Sequence, residues 1–456
     1  MSLGLGSSGF SQGAADYWAT TRGQYTAVTP PSAFSYDKTI FPFTFWRGAD
    51  GYINTDFNRG VICPTPDIMP WITINTYYVD GTSGSDANSG LTWALAKATI
   101  NAAITAANTA AVPYIINIRG GTYYRTSGFN GVVPTQPCAF IGHGRVLTGT
   151  FDNLSYTLTS GTTYQVTRSN VKRVVQTDVI DSDGSYLELT RQTSLVNCQA
   201  TPGSWYTDTV TTYVNRSDGA TVTTANTRVY LTASVTLEMS TGGNMYMKNI
   251  TIEGGTNGAI RLQNSATNNF CAEDCTFAYP TFAAFTNAVT ILNVRSASFI
   301  RCVARGGQSD GFNSHLQTGV QAFVYTQDCL AVTNGYPASQ DLVSGGTISC
   351  NGFTTHDGGK WIGLRCSARH NYGANIIPVH AGTQMWLMDT LSADSYGDVV
   401  NGGPTPPTDF ETDQSTPSLF LDHCCGNSPT SLLALSGTLA YRGGVFSGAK
   451  TNAATY

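Results

Sequence analysis

The segment IRCVARGGQSDGFNSH, residues 300–315, places Cys302, Asp310 and His315 within fourteen positions of one another. Thiol, carboxylate and imidazole are the parts of a nucleophilic site. A second segment, TTHDGGKW, carries His356, Asp357 and Lys360, and a third, RHNYGANIIPVH, carries Arg369, Tyr372, Asn375 and His380. Four of the six histidines fall between positions 315 and 380. Carboxylates and imidazoles concentrated in this way suit general acid–base chemistry, provided the fold stacks the three segments.

A repeat does stack them, and it changes the reading of the thiol. AEDCTF, FIRCVA, TQDCLA, GLRCSA, LMDTLS and LDHCCG align on Cys275, Cys302, Cys329, Cys366, Thr390 and Cys424, spaced 27, 27, 37, 24 and 34 residues apart. Repeats of about 20–30 residues with insertions in loops mark a solenoid. Two residues beyond each aligned position stand Phe277, Ala304, Ala331, Ala368 and Ser392, an inward column. One residue before stand Asp274, Arg301, Asp328, Arg365, Asp389 and His423. The strand period of two turns these outward, where opposite charges on adjacent strands attract. The aligned cysteines are therefore expected to be a buried, reduced stack, with Cys302 a core residue rather than a nucleophile. Adjacent Cys424 and Cys425 are the strongest candidates for a bridge. Asp310, Asn375 and Asp398 follow the aligned positions by eight or nine residues and are expected along one edge of the coil, with His315 and His380 further along the same turns.

Composition agrees with a β-rich extracellular or virion protein. Charged residues are 12%, against about 25% in soluble proteins generally. Hydrophobic residues at 41% and aromatic residues at 11% support a large core. A net charge of −5 with six lysines provides no basic stripe for nucleic acid. No run approaches the roughly 18 apolar residues of a membrane-spanning helix, and the opening MSLGLGSSGF lacks the pattern of a signal peptide.

Four regions are expected: an N-terminal arm (1–75), a cap with the first coil turns (76–149), an inserted β-region (150–243) and the main coil (244–456). The second begins TYYVDGTSGSDANSGLTWALAKATINAAITAAN, a strand, a G-x-D-x-x-x-G loop and an Ala-rich helix with Ile100 and Ile104 one turn apart. This order resembles the N-terminal cap of right-handed parallel β-helix proteins, the pectate-lyase-like superfamily that includes many phage tailspikes. DGFNSH and TTHDGG, followed by HNYGAN, look like a group of phage-associated β-helix proteins with DGFN-x-H and HDG in successive turns. The resemblance implies an all-β, right-handed parallel β-helix with an N-terminal capping helix. It also implies a virion surface protein that engages bacterial surface polysaccharide, forms homotrimers and attaches to other virion proteins through its arm. A non-catalytic structural or adhesive virion protein, and a secreted polysaccharide lyase or hydrolase, are the alternatives.

Three activities suit such a groove. Inverting hydrolysis needs two carboxyl groups about 6.5–9.5 Å apart, for which Asp310 and Asp357 are candidates. A lyase needs a base, His315 or His356, and a cation, from Lys360, Arg369 or a Ca²⁺ held by Asp310 and Asp357. Binding without cleavage would use Tyr336, Trp361, Tyr372, Trp386 and Tyr396 as platforms, with Asn313, Arg369, Asn375, His380 and Asp398 as the polar rim. Against each stands a plainer role: Asp-Gly pairs form turns, and buried Asn and His satisfy backbone groups.

Overall fold

The computed structural model describes residues 26–456 apart from 70–72, 130, 132, 233–236, 240–241, 264, 282–285, 317–318, 320, 336–349 and 399–405. Short strands stack in parallel, turn upon turn, on three faces of a right-handed parallel β-helix. One face is a nine-stranded sheet running from Leu237–Met239 through Phe312–Ser314, Phe353–Thr355 and Ile376–Pro378 to Ala449–Thr451. Its register stacks Ile260, Val289, Phe312, Phe353, Ile376, Phe410 and Leu432 into one row, which belongs to the continuous apolar interior.

The other two faces meet at a sharp corner, and here the charged column finds its cause. Asp274, Arg301, Asp328, Arg365, Asp389 and His423 have φ between 48° and 54°. They are left-handed corner residues, not members of an alternating strand. A single residue in that conformation turns the chain between faces and leaves its own side chain outside. The column is therefore outward as expected, for a different reason. Its pairing is also more particular than a simple ladder. Arg301 donates to Asp274 at 2.6 Å and Arg365 to Asp328 at 2.7 Å. Asp389 instead accepts from the Ile53 backbone at 2.6 Å and faces Arg47, both from the N-terminal arm.

Just inside the corner, Cys275, Cys302, Cys329, Cys366, Thr390 and Cys424 are buried. Several of the thiols point to carbonyls of the preceding turn, as Cys302 does to Ala272 and Cys329 to Phe299. All eleven cysteines are free, Cys424 and Cys425 included. Burial pushes the thiols of Cys275, Cys329 and Cys424 well up, the opposite of what a nucleophile needs. The inward column Phe277, Ala304, Ala331, Ala368 and Ser392 stands in register and fully buried.

The first strands, Asn75–Val79, Tyr114–Tyr123 and Cys138–Gly149, begin the coil. The helix Ile100–Ala110 buries Ile100, Ala103, Ile104 and Ala107 against its end. Thr99 caps it by accepting from Ala102, and the loop residue Asp86 accepts from the backbones of Ala98 and Thr99. Such a plug removes apolar surface that an open coil would leave in water.

Cys138–Gly149 pairs directly with Met245–Glu253, so the chain leaves the coil between them and returns in register. The excursion builds a three-stranded antiparallel sheet and a five-stranded sheet that is antiparallel except where Thr190–Arg191 joins Ser204–Thr207 in parallel, packed around Val174, Trp205 and Val214. Arg173 fastens it to the coil by donating to the carbonyls of Pro280 and Gly306. The arm, read from sequence as having little periodicity, forms a three-stranded antiparallel sheet, Thr26–Val28, Phe45–Arg47 and Ile53–Thr55. Its Phe34, Phe41, Phe43 and Phe45 pack onto Phe323, Tyr325, Trp386 and Phe420 of the coil.

Candidate functional site

Ser314 and Thr355 are register partners on the nine-stranded sheet, with Pro378 the next rung. The residues that follow them are thereby stacked. His315 and His356 have ring centroids 4.5 Å apart, inclined by 22°. His380, two residues beyond Pro378, lies 5.3 Å from His356 and 6.5 Å from His315. Asp357 ties two of the rings together. Its Oδ2 stands 2.8 Å from His315 Nδ1 and its Oδ1 2.7 Å from His380 Nδ1. Nε2 of His380 meets Gln414 Oε1 at 3.0 Å. Partial burial works against the charge on Asp357, but the hydrogen bond from His380 and the nearby His315 outweigh it and hold the carboxyl below its usual value.

Behind this exposed layer lies a buried one. Asn313 Nδ2 donates to Asp310 Oδ2 at 2.5 Å and faces His356 Nε2 at 3.3 Å. Asp310 also accepts from the Asn351 backbone at 2.8 Å and its side chain at 3.2 Å. Burial raises the Asp310 carboxyl to about 6. Burial, followed by His315 and His380, pushes the His356 imidazole down to about 3. His356 Nδ1 is buried without a partner. A polar chain thus runs from Asp310 through Asn313 and His356, across the ring stack to His315, and on through Asp357, His380 and Gln414.

The chemistry available differs along this chain. His315 is the open end, its side chain 47% exposed. With Nδ1 directed at Asp357, its Nε2 is the nitrogen left to exchange protons with a bound molecule, the arrangement of a carboxylate-oriented general base. Asp310 cannot act in that way where it stands, since both of its oxygens are engaged by buried asparagines.

Other expected members of the site lie elsewhere. Lys360 donates to Gly382 O at 2.8 Å and Gln384 Oε1 at 2.9 Å rather than to the histidines. Trp361 is a core residue that donates to Thr326 Oγ1, and Trp386 is buried under the arm, donating to Asp422. Neither indole presents a face to solvent: Trp361 points into the coil, and Trp386 points outward beneath Phe34 and Phe45 of the arm. Asn375 is buried in a ladder, accepting from Asn371 and donating to the Ala393 carbonyl. Asp398 is also buried. Arg369 and His370 both grip Asp183 of the inserted region. Beside them Tyr372 and Tyr396 stand 4.8 Å apart, with Tyr396 exposed. These make a second, aromatic patch at the junction with the insertion. Tyr336 lies outside the described residues. Among the described residues no group of three or more His, Cys, Asp or Glu side chains is arranged to hold a metal ion, and no helix is long and apolar enough to cross a membrane.

Two residues escaped the sequence reading. Gln414 carries no signal of its own. Glu411 continues the outward row begun by Asn313 and Thr354, yet it is buried, its Oε2 has no partner, and burial raises its carboxyl to about 8. Two acidic residues, Asp409 and Glu411, in the otherwise uncharged strand TDFET were the available clue.

No family model matches the sequence, and no curated protein matches it significantly. Among solved structures it is similar to a glycoside hydrolase at 10% identity and a TM-score of 0.54, with 84% of this chain and 96% of that chain covered. It is also similar to pectate lyase Pel9A (13% identity, TM-score 0.39, 84% and 80% covered) and to the tailspike of Pseudomonas phage phi297 (10%, 0.29, 75% and 67%). At these identities the likeness is one of fold: the chain is a right-handed parallel β-helix.

Proposed function

We propose that the protein binds polysaccharide along the coil edge marked by His315, His356, Asp357 and His380. The observation that carries this reading is the Asp357–His315 pair. It is a partly exposed, oriented imidazole at the surface end of a continuous polar chain, on an elongated coil whose repeating turns can track a repeating polymer. In its fuller form the reading is of a tailspike-like virion surface protein, a homotrimer attached through its N-terminal arm, with bacterial surface polysaccharide as ligand.

Cleavage at this edge would use His315 as base or acid. The two-carboxylate arrangement expected of Asp310 and Asp357 is not favoured, because Asp310 is engaged by Asn313 and Asn351. That engagement, with Lys360 turned to Gly382 and Gln384, favours binding without cleavage as the second reading.

The experiment is to incubate the protein with a panel of bacterial capsular polysaccharides, following retention of polymer, new reducing ends and the absorbance of unsaturated uronates. His315→Ala and Asp357→Asn are expected to lose cleavage, or weaken binding where no cleavage occurs, while staying folded. Folded variants with full function would place the site elsewhere.

A further inference from the structure

A cleft of about 630 Å³ opens between the first coil turns and the inserted region, remote in sequence from the histidine edge. Such a volume falls in the range of small-molecule sites. Tyr124, Phe151 and Tyr186 contribute to its wall, and Arg145, Arg228 and Thr224 line it as well. Tyr124 meets Phe151 edge-on at 5.9 Å. Arg228 lies over the Phe151 ring at 4.6 Å and pairs with buried Glu253, so its charge is already answered. Among the described residues no carboxylate lines the cleft.

Arg145 is different. Between Asn117 and Leu147 the pairing of the first strands slips, so that Gly120 faces the two residues Gly144 and Arg145. On the next turn the four residues Gly142–Arg145 stand where one corner residue, Asn249, with φ of 56°, suffices. A bulge of this kind re-aims a side chain. Gly120 permits it, because a Cβ there would meet the Arg145 and His143 backbones at 3.2 Å. The later corner arginines, Arg301 and Arg365, are each paired with an aspartate. Arg145 is exposed and has no ion-pair partner among the described residues.

We propose that this cleft binds a carboxylate-bearing sugar, a uronate unit of an acidic polysaccharide. Arg145 holds the carboxylate through charge-assisted hydrogen bonds, the strong kind that a guanidinium makes with a planar anion. The aromatic wall takes the apolar face of the ring, with Arg228 bordering the same space. The proposal rests on the polysaccharide-binding reading for the class of ligand and adds a second site with a sign of charge.

Calorimetric titration of the full chain with short oligogalacturonates and oligoglucuronates, against neutral oligosaccharides of equal length and against acetate alone, tests it. The acidic oligomers are expected to bind, more weakly as salt rises, and the neutral ones and acetate not to bind measurably. Arg145→Gln should weaken binding at least about tenfold. Ala225→Trp, on the exposed rim of the cleft, should block it by filling the space. Uronate binding that is absent, or unchanged in both variants, overturns the proposal. Polysaccharide retention measured in parallel separates the two ideas. Retention without uronate binding sinks this inference and leaves the histidine-edge reading intact. Uronate binding that needs Arg145, with no effect of His315→Ala or Asp357→Asn on any glycan, does the reverse.

Discussion

His315 and His356 stand one turn apart with their rings 4.5 Å from each other, yet they belong to different environments. His315 is half-exposed and directed at Asp357, whereas His356 is only partly exposed and directed at Asn313. The stack joins a surface group able to exchange protons to a more enclosed group held neutral.

That neutrality has a consequence for stability. The His356 imidazole is pushed down to about 3 in the folded chain, against about 6.5 when unfolded. A depressed value favours the folded state above the unfolded value, and that stability is lost as pH falls from about 6.5 towards 3. Urea denaturation at pH 7 and pH 4.5 should show wild type losing more stability than His356→Asn, by roughly 2–3 kcal/mol at about 1.4 kcal/mol per pKa unit. Equal losses would show that His356 is not the acid-sensitive group.

Glu411 works in the opposite direction. Burial raises its carboxyl to about 8, above the usual value near 4.3. Its contribution is present in full below the unfolded value and is lost as pH rises through 8. Glu411→Gln should therefore be more stable than wild type at pH 9, by roughly 1–3 kcal/mol, with the advantage shrinking towards pH 4. Thermal unfolding across that range measures the difference; a pH-independent offset would contradict it.

The corner ladder divides into ornamental and structural pairs. Asp274 and Arg301 are exposed enough that Asp274→Ala should cost no more than about 1 kcal/mol. Asp389→Ala should act on the arm, since this carboxylate holds the Ile53 backbone and faces Arg47. Limited proteolysis and amide exchange should show faster cutting and exchange across residues 45–55, with the coil unchanged. Identical behaviour of the arm in the variant would remove the role assigned to Asp389.

Cys302 tests the reading of the stack. Its thiol is buried and directed at backbone carbonyls, so labelling should be slow in the folded protein and complete after denaturation. Cys302→Ala should cost about 1–3 kcal/mol through the cavity it leaves and leave glycan binding unaltered. Loss of binding with unchanged stability would return the thiol to the functional site.

Much of this architecture is written in local order. Cys275, Cys302, Cys329 and Cys366 recur because each coil turn must present a small apolar group at the same inner corner. Any sequence that repeats that demand reveals the coil. The sequence grouped His315, His356 and His380 along one edge, but not the stacking of His315 on His356, which depends on the register that pairs Ser314 with Thr355 across a long intervening segment. The reason for the charged column was not legible either. Alternating strands and left-handed corners both leave a residue facing out, and only the backbone angles of Asp274 and its successors distinguish them.

The repeat, the inward columns and the segment that carries the histidines can be read from residue order, because they depend on spacing within and between neighbouring turns. Which polar and aromatic groups remain available is set by long-range packing. Asp310 and Asn375 are engaged by asparagines, Trp386 is covered by phenylalanines more than three hundred residues earlier, and Arg145 is left unpaired beside an insertion. Availability depends on what packs over a side chain from distant parts of the chain. A pattern of residue types along one segment does not contain that information.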